Sequence, residues 1–338
     1  MELNNNMKDI TGDPKKAVKK LAYPIIISML LIMSNNLIDS IWVAGLGPGP
    51  LAAIGFVTPL FLILVGIGTG IGAGVNSLIS RYVGSKNQTK ANEAAVQSVV
   101  LGIIVSIIVT VIFVVILEPT LYIMGAKDVF SYAIDYGRPL FIFSIVTILP
   151  VAYAGIFRAE GDIKRATLPM CISAILNMIL DPIFILYLNM GAGGAAIATI
   201  IGYFSSNLVF IYLTLKKSKK LSISLKHTHI PKNEVISIFT IGIPASITNL
   251  MSSFAMAMTN NYLVAYGNDK VAAIGIVLKI NMIVLLVMIG FAFGAQPLLG
   301  YNYGAHNTKR LKEIIKFDLF VEITFAVITS IILALFTP

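Results

Sequence analysis

Residues 51–93 read LAAIGFVTPLFLILVGIGTGIGAGVNSLISRYVGSKNQTKANE, and residues 271–313 read VAAIGIVLKINMIVLLVMIGFAFGAQPLLGYNYGAHNTKRLKE. Set at an offset of 220 residues, the two stretches align without a gap and share 12 of 43 positions. Chance at this composition would give roughly three or four. Ala52, Ala53, Ile54 and Gly55 meet Ala272, Ala273, Ile274 and Gly275. Gly70, Gly74, Gly84 and Asn87 meet Gly290, Gly294, Gly304 and Asn307. The same offset carries Pro24 onto Pro244 and Gly47 onto Gly267. Both stretches are continuously apolar over lengths that strands do not reach, and neither alternates at period two. The repeated unit is therefore helical.

Outward from these two stretches the same texture continues. The chain is 57% hydrophobic and 12% charged, where soluble domains carry about 25% charge. Its apolar residues need lipid as solvent for much of their surface. Nine segments are long enough to cross a bilayer, approximately 21–45, 51–80, 96–117, 136–157, 167–188, 192–215, 234–265, 271–300 and 314–336. The first is too long for a signal-peptide core, carries Asn35, Asn36 and Asp39, and reads as a retained helix. The single cysteine, Cys171, sits inside an apolar run and has no internal partner for a disulfide.

The net charge of +9 does not point to nucleic acid, because the basic residues lie in short clusters between spans, as beside anionic headgroups. With a cytoplasmic N-terminus, the inner segments hold 21 Lys and Arg, and the outer loops hold only Lys127, Arg138 and Lys270. That split predicts a cell-membrane protein with its N-terminus inside. Lys279 is left within the eighth span.

Six spans fall within one repeat length. An even number returns the chain to its starting side, so both copies share an orientation about an axis along the membrane normal. The expected architecture is an all-α integral membrane protein of about nine transmembrane helices. Residues 1–220 form a six-helix lobe, and residues 221–338 form the first three helices of a second, incomplete one. A full second copy needs about another hundred residues. A chain of this pattern is expected to belong to a longer protein, monomeric when complete.

Three stretches resemble one known family, the multidrug and toxic compound extrusion (MATE) family. Residues 36–55, NLIDSIWVAGLGPGPLAAIG, are similar to its first helix. FRAEGD at 157–162, then NMILDPIFI at 177–185 and MGAGGAAIATIIG at 190–202, follow its most recognisable succession. AQPLLGYNYG at 295–304 is similar to its second-half segment. The resemblance implies a secondary transporter with no cofactor, exporting small amphiphilic or cationic molecules against an entering Na⁺ or H⁺. It also implies a cation or proton site in the first lobe, at Asp39, Asn177, Asp181 and Thr199, and a helix hinge at Pro24, which could equally be a tolerated proline near the cytoplasmic end.

The residues lead to the same group independently. Ionisable side chains at membrane depth cost at least ~2.5–3.5 kcal/mol and mark functional positions. Asp39 and Asp181 are the acids deep in the first copy's apolar runs, and Asn177 shares a helix face with Asp181 four residues on. Pro182 leaves the carbonyl of Met178 free and bends that helix. Counted from helix ends, Asp39, Asp181 and Thr199 fall at one depth. The alternative is a hydrogen-bonded packing network without ion traffic.

Lys279 and Met256 are candidate cavity residues, although Lys279 could instead snorkel or pair with an acid, and Met256 could simply pack. GIGTGIGAG at 66–74 has the look of a dinucleotide loop, but it follows no strand, and close helix packing is its reading. Glu160 and Asp162 are expected to form a turn or to pair with Arg158. No Walker loop, zinc-protease pattern or Cys/His ligand set is present, so no metal site and no enzyme is expected. Two further functions stay open: a lipid-linked sugar flippase of the same superfamily, disfavoured because such proteins carry basic residues within the cavity and only Lys279 qualifies here, and a non-transporting membrane fragment.

Overall fold

The structure is a computed structural model and describes residues 10–217, 231–264 and 268–336. Among the described residues there are ten long α-helices: α1 Pro14–Ala44, α2 Pro48–Gly84, α3 Gln88–Ile123, α4 Phe130–Ile142, α5 Ser144–Ala159, α6 Ile163–Pro182, α7 Gly191–Lys217, α8 Lys232–Val264, α9 Asn268–Gly304 and α10 Thr308–Phe336. Eight of these described helices are long and apolar enough to cross a membrane. The α4–α5 pair, preceded by a short 3₁₀ turn and bent by 50° at Phe143, makes a ninth. The helices extend beyond the apolar runs because polar caps sit past the membrane. Asp13, Asn87 and Asp162 each accept a hydrogen bond from the backbone N–H three residues on, closing the first turns of α1, α3 and α6.

Prolines inside the spans open specific carbonyls, and neighbours fill them. Pro150 in α5 cannot donate to Val146, and Asn207 of α7 donates to that Val146 carbonyl at 2.9 Å instead. Beyond Pro182 the fifth span widens into a π-turn, Ile183–Tyr187, where Leu188 N–H bonds back to the Ile183 carbonyl at 2.8 Å. The π-turn follows directly on the proline that was expected to disturb this helix.

The glycines of 66–74 form two stripes. Gly68 and Gly72 face α5, where Gly72 and Gly155 meet backbone to backbone. Gly66, Gly70 and Gly74, four residues apart, face α8, where Gly70 lies against Gly242 and Ser246, and Gly74 against Ile238. A Cβ at Gly70 or Gly74 would collide with backbone atoms of α8, so only glycine permits this approach.

These contacts are reciprocal under the 220-residue offset. Gly70 meets Ser246 and Gly290 meets Ile26; Gly84 meets Tyr301 and Gly304 meets Arg81. In both cases the second pair is the first with its members exchanged between copies. Asn76 and Gln296 are one position in the two copies, and Asn76 Nδ2 donates to Gln296 Oε1 at 2.8 Å. Equivalent residues touch only on a two-fold axis, so the axis passes here. Gln296 Nε2 also donates to the Ala73 carbonyl at 3.1 Å.

The packing is therefore crosswise: α2 lies on α8, and α1 lies on α9. All of these glycine contacts lie between Gly66 and the face carrying the turns after Gly84, Ala159 and Gly304, called the basic face below. Toward the opposite face Ile41, Met251, Phe254 and Tyr262 are exposed. The close backbone contacts between the copies thus gather toward the basic face.

Adding a methyl at the tightest reciprocal contacts should cost about 1–3 kcal/mol each. Gly84→Ala and Gly304→Ala are each expected to lower the melting temperature in detergent by several degrees. Gly55→Ala, where a Cβ would meet nothing within 4 Å, should change it by under a degree.

Candidate functional site

Of the residues expected to form the coupling group, α1 supplies Asp39, α6 supplies Asn177 and Asp181, and α7 supplies Thr199. The structure brings them together. Asn177 Nδ2 donates to Asp181 Oδ1 at 3.0 Å and reaches Thr199 Oγ1 at 3.5 Å. Asp181 is fully buried and Asn177 nearly so, whereas Asp39 and Thr199 are half-buried. Asp39 lies within electrostatic range of Asp181. At about 1.5 Å per residue, all three helix positions sit about 8–12 Å in from the ends of their spans opposite the basic face.

A glycine makes the juxtaposition possible. Gly202, one turn beyond Thr199 on α7, approaches the Ser173 carbonyl and lies 3.4 Å from Asn177 Cβ, measured from where its own Cβ would be. Any larger residue would push α7 away from α6 and draw Thr199 out of reach of Asn177.

Two side chains belong to the group that the sequence reading did not assign to it. Asn35, one turn before Asp39, donates through Nδ2 to Asn177 Oδ1 at 2.7 Å and ties α1 to α6. Its signal was available: Asn35 and Asp39 repeat the four-residue spacing of Asn177 and Asp181. Tyr136 of α4 is buried within electrostatic range of both Asp39 and Asp181. Nothing local in its sequence marks it.

Chemically the group is a set of hard oxygen donors. Asp39 Oδ1, Asp181 Oδ2 and Asn35 Oδ1 are buried with no protein hydrogen-bond partner. Two carboxylates with free, converging oxygens repel one another, and a proton or a small cation between them relieves that repulsion. Among the described residues no group of three or more His, Cys, Asp or Glu side chains could hold a metal ion.

Pro24 lies within α1, which runs unbroken through it. The side chains of Met256 and Lys279 lie outside the described residues. Of the two readings of the FRAEGD stretch the turn holds: Gly161 N–H bonds to the Arg158 carbonyl at 2.8 Å. Asp162 caps α6 and pairs with Arg165 at 3.1 Å rather than with Arg158, because the N-cap position points its carboxylate at the first turn of its own helix.

The profile of the family described as MatE matches residues 24–183 and 244–338. Among curated proteins the chain is 29% identical over 303 residues to the multidrug export protein MepA of Staphylococcus aureus, covering 89% of this chain and 67% of that one. Among solved structures it matches a MATE protein in the straight conformation, with TM-score 0.92 and 30% identity, over 97% of this chain and 74% of the other. It also matches a MOP superfamily transporter from Pyrococcus furiosus, with TM-score 0.91 and 31% identity, over 98% and 74%. The chain belongs to the MatE family. It is a multi-pass membrane protein with the helical fold of the family's transporters.

The Asn35–Asn177 bond should couple the two helices measurably. Asn35→Ala and Asn177→Ala are each expected to destabilise the protein, and the double variant by less than their sum. The interaction energy should be about 0.6 kcal/mol, typical between membrane helices, read from a double-mutant cycle of unfolding midpoints.

Proposed function

We propose that this protein is a cation-coupled exporter of small amphiphilic or cationic molecules, acting in the cell membrane with its N-terminus and basic face in the cytoplasm. The observation that carries this reading is the cluster of Asp39, Asn177, Asp181 and Thr199, with buried oxygens left free of protein partners. Membership of a family that includes a multidrug export protein supports the class of cargo.

In this mechanism residues 1–220 act as one lobe and residues 221–338 belong to the other. The lobes rock about the axis marked by Asn76 and Gln296. On this reading the closely packed basic face is the cytoplasmic side, and the coupling site lies in the outward half of the first lobe. Entry of H⁺ or Na⁺ neutralises the paired carboxylates and lets α1 pack more closely on α6. Cation binding that favours one lobe arrangement by even a few kcal/mol shifts the population between outward-open and inward-open states. Export then follows from cargo release on the side where the cation enters.

The test is efflux from proteoliposomes with independently imposed Na⁺ and H⁺ gradients. Asp181→Asn keeps size and hydrogen bonding but removes the charge that the cation must neutralise. Gradient-driven efflux should be abolished by Asp181→Asn and by Asp39→Asn, with protein levels near normal. The double variant should be little worse than either single, because both residues serve one site. Asn177→Ala removes a neutral ligand and should weaken cation dependence less. Full coupled efflux by Asp181→Asn would show that the cluster is a packing network.

A further inference from the structure

Arg158 is the last basic residue of α5 and is 7% exposed. No carboxylate pairs with it among the described residues, and its Nε has no hydrogen-bond partner. Its guanidinium lies along the backbone of Gly72 in α2. The group that covers it is Phe293 of α9, with Cζ 4.9 Å from the ring centroid. Arg158 belongs to the first copy and Phe293 to the second, so this contact crosses the seam between them near the basic face. The carbonyl end of α5 offers the cation some compensation through the helix dipole. An unpaired buried cation remains costly, because a charge withdrawn from water without a counter-ion loses most of its solvation. Phe293 of α9 supplies part of that burial, so opening of the seam would bring water to the guanidinium and break the ring contact.

We propose that Arg158 sets the resting balance between the two lobe arrangements: its buried charge pushes the seam at the basic face to open, and the Phe293 ring face restrains it. The proposal rests on the alternating-access reading above and adds to it a residue outside the coupling site. The two members of the contact act with opposite sign. Removing the charge removes the penalty of closure, so the sealed state gains. Removing the ring leaves the charge buried without the side chain that compensates it across the seam, so the sealed state loses. A contact that only packed the seam would give the same sign for both, because either truncation would loosen it.

The reporter is Ser80, fully buried and packed against Gly300 across the same seam. Because Cys171 is the only cysteine, Ser80→Cys in a Cys171→Ser background gives a single thiol that labels only when the seam opens. Native protein in nanodiscs is treated with a water-soluble maleimide, and the labelling rate is measured. Arg158→Met, which keeps the length and apolar stem, should slow labelling at least fivefold, and Arg158→Gln should do likewise. Phe293→Leu should accelerate it at least fivefold. Arg158→Met with Phe293→Leu should resemble Arg158→Met alone, since the ring has no cation left to hold. Labelling under denaturing conditions and the melting temperature of each variant establish that it is folded. Shifts of the same sign for Arg158→Met and Phe293→Leu, or no shift in a reporter that labels in the parent, would overturn the role of Arg158 alone. A reporter that never labels in the parent would overturn the alternating-access reading as well.

Discussion

Everything in this molecule hangs on the close approach of two repeated helices about one axis. Asn76 and Gln296 occupy the same position in the two copies and bond to each other, which places the axis between α2 and α9. Around it, backbone meets backbone at Gly84 and Tyr301 and at Gly304 and Arg81. Between membrane helices no aqueous hydrophobic effect drives association, so contact depends on small residues and shared hydrogen bonds. The glycine rows supply the first, and the Asn76–Gln296 and Ser246–Gly66 bonds supply the second.

That constraint gives the molecule its polarity. Because the glycines cluster toward the basic face, the copies are held together there. The carboxyl groups of α1 and α6 lie toward the opposite side, and Asn35 ties the two helices together. α1 is thus shared between two tasks: its basic-face half packs on α9, and its other half presents Asn35 and Asp39 to α6. A change of charge at Asp39 and Asp181 acts on the helix that also closes the seam, which is the physical requirement for coupling ion binding to lobe movement.

Much of this was legible from the residues. The gapless repeat implied the two-fold relation, and the glycine-rich run 66–74 implied close helix packing. Asn177 and Asp181 announced themselves by i, i+4 spacing beside Pro182. What the chain did not disclose were relations across elements. Tyr136 reaches the site from α4, the first half of a span bent by 50° at Phe143, and no spacing in the sequence pairs it with Asp39 or Asp181. Arg158 read as a loop residue beside acids. Its burial against Phe293 depends on α9 crossing α5, which no local pattern records. Asn35 was overlooked although its spacing to Asp39 is the same as that of the pair on α6. A neutral amide draws less attention than a carboxylate.

The link between cation and lobe movement is tested most directly by a distance. Spin labels at Ser40 on α1 and Met258 on α8, both exposed, report the separation of the two copies on the side away from the seam. Lowering the pH or adding Na⁺ should shift the distance distribution in the parent protein and leave it unchanged when Asp39→Asn and Asp181→Asn are combined. A shift of the same size in that double variant would contradict the account, because the movement would then answer to groups other than this pair of carboxylates.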